Sequence, residues 1–479
     1  MMPHSPSLDS TFVRTALASQ LRGHEGPDQQ FMRAIIDSRE TKPNDLFTAL
    51  SGARTDGHNH AAQAVKAGAT GCILKHTVEG TEAASCFYVD DPLSALQTLA
   101  ASWRAALPQL EVIGVTGNVG KTTTKLIIAQ LLQPKYQVQV NPLNYNNEVS
   151  VPLCLLELRP ETERAVIEHG MYTRGEIELL CSWTQPQKGI VLNIGPVHLE
   201  RAGSIEAIAL AKRELIEALP ANGHAILNID DPRVAKIRPY TAATVITFGS
   251  AERAQIRGHS VESHGTDGFS FTLTVDGTLL GEIDNSERRL RVPLPGTHLL
   301  SNVLAGIATA VTEKVPFNAI ATAVEQLAVP LRLQISTIGN DITLLDDTYN
   351  ASPASMHAAL DLLAEMPGRH LALLGDMLEL GSEEEQAHQQ IGERAADDLD
   401  LLFTIGQRGS QIGEAAASAG LETSHIENQS DAARTLLKRL RSGDALLVKA
   451  SNQLHLDAVV KELTIAVNSQ FERSVRRHT

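Results

Sequence analysis

The stretch GVTGNVGKTTTK, Gly114 to Lys125, holds the residues best suited to chemistry on an anion. Glycines let backbone N–H groups turn toward a phosphate, and a following helix points its positive end at it. A lysine adds a point charge, and a threonine hydroxyl serves a divalent cation. Gly117, Asn118, Gly120, Lys121, Thr122 and Thr123 are those parts here. The common form G-x-x-x-x-G-K-[ST] is not met, because Val115 stands where its first glycine belongs. The apolar run VIGV before the loop and TTKLIIAQLL after it supply the strand and helix that such a loop needs. That context favours a nucleotide site over a glycine-rich turn before an ordinary helix.

The elements that position the loop follow from periodicity. GHNHAAQAVKAGATGCIL reads as a helix closed by Gly68, then a strand, and LSALQTLAASWRAAL as a helix ended by Pro108. From VIGVTG onward strands and helices alternate: AVIEHG, GEIELLCSW, GIVLNIG, SIEAIALAKRELIEAL, HAILNID, and then the helix HLLSNVLAGIATAV. This order predicts a parallel, helix-covered sheet. A short helix between prolines in 313–330 leads to a second alternating unit from 331. The chain is therefore read as α/β with three domains, 1–107, 108–328 and 329–479.

Composition narrows the partners. Of 479 residues, 41 are Lys or Arg and 56 Asp or Glu, a net charge of −15. Such a chain has no general attraction for nucleic acid or an anionic membrane, so an anionic ligand needs local features. The four cysteines form no C-x-x-C pair, which indicates neither a zinc site nor a disulfide framework. No signal-peptide core and no run of eighteen apolar residues is found, so no membrane span and a cytoplasmic location are expected.

TGNVGKTTTK resembles the compact T-G-x-x-G-K-T-[ST] loop of the Mur ligases, which add amino acids to the peptidoglycan precursor. IDSRETKPNDLFTALSGARTDGHNHAAQAVKAGA, NYNNEVSVPLCLL, EHGMYTRGEI, NIGPVHLERAGSIEAIALAKRELIEALP, LPGTHLLSNVLAGIA, LLDDTYNASPASM and LGDMLELGSEEEQAH are similar to the branch that joins D-alanyl-D-alanine to a UDP-muramoyl tripeptide. These segments run in order from Ile36 to His388. The resemblance implies an N-terminal domain holding the UDP end, a central P-loop ATPase domain and a C-terminal Rossmann-like domain. It implies a soluble enzyme, expected to be monomeric, that uses ATP and Mg²⁺ to convert a carboxylate to an acyl phosphate, which an amine then attacks.

The same resemblance implies roles. Lys121 and Thr122 would hold phosphates and a first Mg²⁺, with Glu168 and His198 as further metal ligands. Lys212 would be carbamylated, turning a cation into an anion that supports metal. Asn302 would lie near the adenine, Asp347 would accept from the ribose, and Tyr349 would lie against the base. Arg332 would reach the phosphates when the domains close. Asp37, Ser38 and Arg39 fall in the segment for the uridine diphosphate, and Asn146 and Asn147 would shape the acceptor carboxylate pocket. Taken without the family, Glu168 is equally a solvated strand-end acid, His198 a hydrogen-bonded loop histidine, and Lys212 a lysine on the solvated face of an amphipathic helix. The two asparagines alone read as an Asn-rich turn.

The chain departs from the branch at four places. Val119 stands where an asparagine is usual, Tyr172 and Thr173 replace Asn and His, and Ser352 replaces Asn. The branch's KGSRGMRME becomes KASNQLHLD, Lys449 to Asp457, without either arginine. Two further readings stay open: a ligase for another amino acid or dipeptide, and a nucleotide-binding scaffold without turnover.

Overall fold

The computed structural model describes residues 6–52, 55–142, 144–196, 199–281, 286–339 and 341–478, with side chains as far as 469. Three sheets organise it. The first has the order Leu21–Glu25, Ser85–Val89, Gly71–Leu74, Asp45–Thr48, Arg33–Ile35, antiparallel only at its first pair. The central sheet has nine strands with Glu111–Thr116 between Lys188–Val191 and Arg164–Glu168. The third runs Gln334–Ile338, Ile342–Asp347, Ala445–Lys449, His370–Gly375, Leu401–Ile405, Thr423–Ile426, parallel after its first pair.

Local signals account for the elements. Helix Pro92–Ala105 starts where Asp91 accepts from Leu93 N and Ser94 N, with proline in the first turn. It buries Ala95, Leu96, Leu99 and Trp103 on one face, the 3.6-residue spacing of a core helix. Helix His58–Ala67 ends at Gly68, whose φ of 121° suits only glycine well.

The central sheet differs from the expected parallel sheet at one edge. Ile256–Ser263 joins Thr244–Gly249 in parallel, and Phe269–Val275 and Ser286–Val292 then extend the sheet through antiparallel pairs. Period-two patterning explains this, since Leu290 and Val292 turn inward while Glu287, Arg289 and Arg291 stay exposed.

The two faces of strand Glu111–Thr116 serve different neighbours. Ile113 and Val115 pack into the core formed with helices Lys121–Leu132 and Leu300–Thr312. Val112 packs into a core shared with Leu96, Leu99 and Trp103 of the first unit. Trp103 Nε1 donates to Leu158 O at 2.9 Å and Arg104 Nε to Thr184 O at 2.9 Å, so the first two units are joined by a continuous, hydrogen-bonded interior.

Charges gather at the amino ends of the same strands, away from the loop. Glu313 is 3% exposed and pairs with Arg164 Nε at 2.7 Å and Lys188 Nζ at 2.6 Å. Removing Glu313 leaves Arg164 and Lys188, both largely buried, with only the partly exposed Glu111 as counter-ion, at 3.7 and 2.9 Å. Glu313→Ala is expected to destabilise the protein by about 3–5 kcal/mol, read as a lower urea midpoint; an unchanged midpoint would show the network to be energetically neutral. Among the described residues no helix is long and apolar enough to cross a membrane.

Candidate active site

The order of the central strands reverses around Glu111–Thr116, and open α/β sheets place ligands at the carboxyl ends flanking such a point. Three segments leave the sheet there: the loop Gly117–Gly120, the turn after Glu168, and the chain after Val191.

The loop is braced from the side. Asn193 Oδ1 accepts from Asn118 N at 2.8 Å and Val119 N at 2.9 Å, while its Nδ2 donates to Val119 O at 3.0 Å. Val119 is therefore held entirely through its backbone, so the loop keeps its shape without an amide side chain at that position. Gly120 has φ 86°, and a Cβ there would stand 2.4 Å from Asn302 Nδ2. Only glycine fits. Asn302 uses that closeness, donating to Gly120 O at 3.2 Å and Thr124 Oγ1 at 2.8 Å. Lys121 Nζ donates to Gly117 O at 2.8 Å and Asn118 O at 3.2 Å.

Glu168 is the hub on the other side. It is 1% exposed. Thr122 Oγ1 donates to its Oε2 at 2.9 Å and Asn146 Nδ2 to its Oε1 at 2.8 Å. Lys125 Nζ lies 3.8 Å from Oε2 and donates to Asn141 O at 2.6 Å. Asn141 Oδ1 in turn accepts from Glu168 N at 3.0 Å. The pair Asn146 and Asn147 thus divides. Asn146 serves Glu168, whereas Asn147 Oδ1 accepts from Val149 N, Ser150 N and Ser150 Oγ, the Asn-rich turn that the sequence also allowed.

The third unit closes over the loop. Arg332 Nη2 donates to Thr122 Oγ1 at 3.1 Å, and its guanidinium lies 4.1 Å from the centre of the Tyr349 ring. Asp347 pairs with Lys449 Nζ at 2.5 Å, and Lys449 also donates to Asn350 O at 2.8 Å. Burial raises the Asp347 carboxyl and lowers the Lys449 ammonium, with their mutual attraction opposing both.

Lys212 is 2% exposed and makes no hydrogen bond or ion pair with any described residue. Burial, and then the nearby Lys121 charge, hold its ammonium well below the ordinary lysine range. It faces inward, on the buried side of helix Ile205–Glu217, not on the solvated side.

Two cavities meet at the loop. One, of about 300 Å³, is lined by Asn118, Thr122, Thr123, Asn302, Asp347 and Lys449 among others, with Leu299, Leu331 and Leu333 as apolar walls. The other, of about 680 Å³, is lined by Gly117, Lys121, Asn146, Glu168, Lys212 and Tyr349 among others. Asn118, Gly120 and Arg332 line both. Tyr349 is therefore placed under Arg332 and on the larger cavity, not in the lining of the cavity that holds Asn302 and Asp347.

Ser38 and Arg39 lie elsewhere. Ser38 Oγ donates to Gln63 Oε1 at 3.2 Å. Arg39 is exposed and holds the Asp37 carboxyl down to about 2 by direct hydrogen bonds. Neither residue lines the two cavities. His198 falls outside the described residues.

The donor set suits a hard cation on phosphate. The Thr122 hydroxyl and the Glu168 carboxylate converge at 2.9 Å beside a helix N-terminus, and oxygen ligands of this kind suit Mg²⁺. Among the described residues no group of three or more His, Cys, Asp and Glu side chains comes together, so a cation there would share its coordination with the ligand's own oxygens and water. Sequence reasoning missed Asn193, Lys125 and Lys449. Each is an ordinary residue in its segment and becomes informative only through its partner in space.

Comparison with known proteins agrees along the chain. Residues 34–103 match the catalytic-domain description of the Mur ligase family, 115–310 the Mur ligase middle domain, and 331–452 the Mur ligase, glutamate ligase domain. Over 458 residues the chain is 38% identical to the UDP-N-acetylmuramoyl-tripeptide–D-alanyl-D-alanine ligase of Synechocystis sp., covering 95% of this chain and 96% of that one. The fold matches a crystal structure of MurF from Acinetobacter baumannii with TM-score 0.85 at 28% identity, over 96% of this chain and 99% of that one. It matches MurF ligase from Thermotoga maritima, solved in complex with ADP, with TM-score 0.78 at 26% identity, over 91% and 98%. With the loop, the three sheets and full-length relatives in agreement, the chain belongs to the Mur ligase family.

Proposed function

We propose that this protein is an ATP-dependent amide ligase of peptidoglycan synthesis, joining D-alanyl-D-alanine to a UDP-N-acetylmuramoyl tripeptide through an acyl phosphate. One observation carries the reading furthest: the loop bearing Lys121 and Thr122 is the common wall of two cavities. A nucleotide in the smaller cavity would present its terminal phosphate to a carboxylate in the larger one. Asn302 lies at the loop end of the smaller cavity, and Asp347, oriented by Lys449, is its carboxylate for ribose hydroxyls.

The residues then do electrostatic and positioning work. Lys121, Arg332 and the helix N-terminus at Lys121–Thr123 offset charge on the phosphates, and Tyr349 holds the Arg332 guanidinium by a cation–π contact. Thr122, Glu168 and His198 would hold Mg²⁺, which when bound neutralises phosphate oxygens. Asn146, tied to Glu168, faces the acceptor carboxylate. The carboxylate oxygen bonds to the γ-phosphorus as the bridging P–O bond breaks, releasing ADP. The dipeptide amine then attacks the acyl carbon and loses a proton, and phosphate departs as the C–O bond breaks. Lys212 as a carbamate would place a negative charge beside Lys121. Ser38 and Arg39 belong to the unit that would hold the UDP end, and the units would divide near residues 107 and 328. ATP and a UDP-linked acceptor suit the cytoplasm. One copy of the chain supplies all of these groups, so a monomer suffices.

ADP release measured across a panel of acceptor peptides and amines tests the reading. Release that requires both the tripeptide acceptor and D-alanyl-D-alanine is expected. Release with another amine alone would redirect the specificity, and no amine-dependent release would leave a nucleotide-binding scaffold.

A further inference from the structure

The larger cavity has a wall that the phosphate chemistry does not use. Tyr172 comes to it from the turn after Glu168, Arg201 from the short helix Leu199–Ala202, and Glu379, Asn452 and Gln453 from the third unit. Tyr172 and the 449–457 segment are two of the places where the sequence departs from the branch, and the fold brings them together here. The Arg201 guanidinium lies 4.4 Å from the centre of the Tyr172 ring. Its Nη2 is 3.8 Å from Glu379 Oε1, beyond hydrogen-bonding distance, and the side chain is 55% exposed. Leu199 N donates to Glu379 O at 3.0 Å, which fixes the helix carrying Arg201 to the third unit.

We propose that Arg201, laid on the Tyr172 ring, binds the free carboxylate of the incoming dipeptide. This rests on the ligase reading above. The amine end of the dipeptide has to reach the acyl group beside Lys121. Its carboxylate, roughly 7 Å away for two extended residues, keeps its charge and needs a cation. The cations on the cavity wall, leaving aside Lys212, whose ammonium is disfavoured, are Lys121, Arg332 and Arg201. Lys121 and Arg332 contact the loop, so these two serve the phosphate end. Arg201 is the cation left on the third-unit side among the described residues. It donates no hydrogen bond to a described residue, and stacking on Tyr172 holds its planar fork in one orientation, the form suited to a bidentate grip on carboxylate. Asn452 and Gln453 add amides to this wall but no charge. The positive charge absent from the third-unit segment is thus supplied from the central unit.

The test compares D-alanyl-D-alanine with its neutral C-terminal amide as amine substrates, by ADP release, in wild type, Arg201→Met and Glu379→Gln. Wild type is expected to favour the carboxylate form. Arg201→Met should raise KM for D-alanyl-D-alanine by about ten- to a hundredfold, leave KM for ATP and the acceptor near wild type, and lose the preference over the amide. Glu379→Gln, which removes the charge facing Arg201 but keeps the guanidinium and the backbone bond to Leu199, should retain the preference. Arg201→Met that still favours the carboxylate form overturns the subsite while leaving the ligase reading intact. So does a general rise in every KM in both variants, the mark of a purely architectural contact. Wild type that is inactive with D-alanyl-D-alanine but active with another amine overturns the assigned reaction, and this subsite with it.

Discussion

Lys121→Ala is expected to lower ADP release by roughly a thousandfold, with little effect on folding. The side chain is part-buried at the start of helix Lys121–Leu132, and its Nζ contacts only the loop carbonyls of Gly117 and Asn118 among the hydrogen bonds of the described residues. Those carbonyls can turn to water, so stability depends little on the ammonium. Charge developing on the transferred phosphoryl group has no such substitute. Water excluded from the site cannot move in to solvate it at the moment of transfer, so a fixed cation contributes more there than in bulk. Arg332 reaches the same place from the third unit and donates to Thr122 Oγ1, which is why the loss falls short of total. Single-turnover ADP formation checks this, alongside binding of a fluorescent nucleotide. Retained ADP formation in Lys121→Ala would remove the loop from the mechanism.

Lys212→Ala is expected to lose activity by a hundredfold or more (~3 kcal/mol in the barrier), and short carboxylic acids such as acetate should restore part of it. A primary ammonium buried with no counter-ion among the described residues, close to another lysine, is costly, and burial favours the neutral amine. A neutral amine is the form that adds CO₂, losing one proton and becoming a carbamate anion. With a carbamate there, repulsion from Lys121 would turn into attraction, and the larger cavity, which Glu168 also lines, would gain a further carboxylate. Mass spectrometry of the native protein in bicarbonate, with Lys212→Ala as control, reads the adduct without turnover. A variant that acetate does not rescue, together with no adduct on the wild type, would sink the carbamate.

Much of this site was legible because its signals are local. Gly120, Lys121 and Thr122 sit in consecutive positions between a strand and a helix, and the strand is apolar along its length. Helix Pro92–Ala105 carries its own cap and apolar stripe, and helix His58–Ala67 its terminating glycine. The antiparallel edge Phe269–Val275 and Ser286–Val292 was harder to read. An alternating strand joins a sheet by its edge, and the choice of neighbour depends on the twist and cover of strands far away in the chain. Asn146 and Asn147 could not be told apart by type or position. One turns toward Glu168 and the other back to its own helix, and only the path of the backbone separates them. Lys212 shows the same limit. Its helix is amphipathic, and which side faces the cavity is decided by the sheet beneath it.

By itself the sequence determined the chemistry at hand: a phosphate loop, three α/β units in order, and a set of acids, lysines and asparagines at strand ends. Those properties follow from residue type, periodicity and short spacing, which tertiary packing does not alter. Only the tertiary structure decided which of them act together. Thr122 meets Arg332 from 210 positions away, Asn302 closes on Gly120 from 182, and Lys449 finds Asp347 from 102. Burial and charge at a site depend on inverse distance in space, not on separation along the chain. The same rule brought Arg201 beside Tyr172 and Asn452 on one wall, where no spacing in the sequence links them.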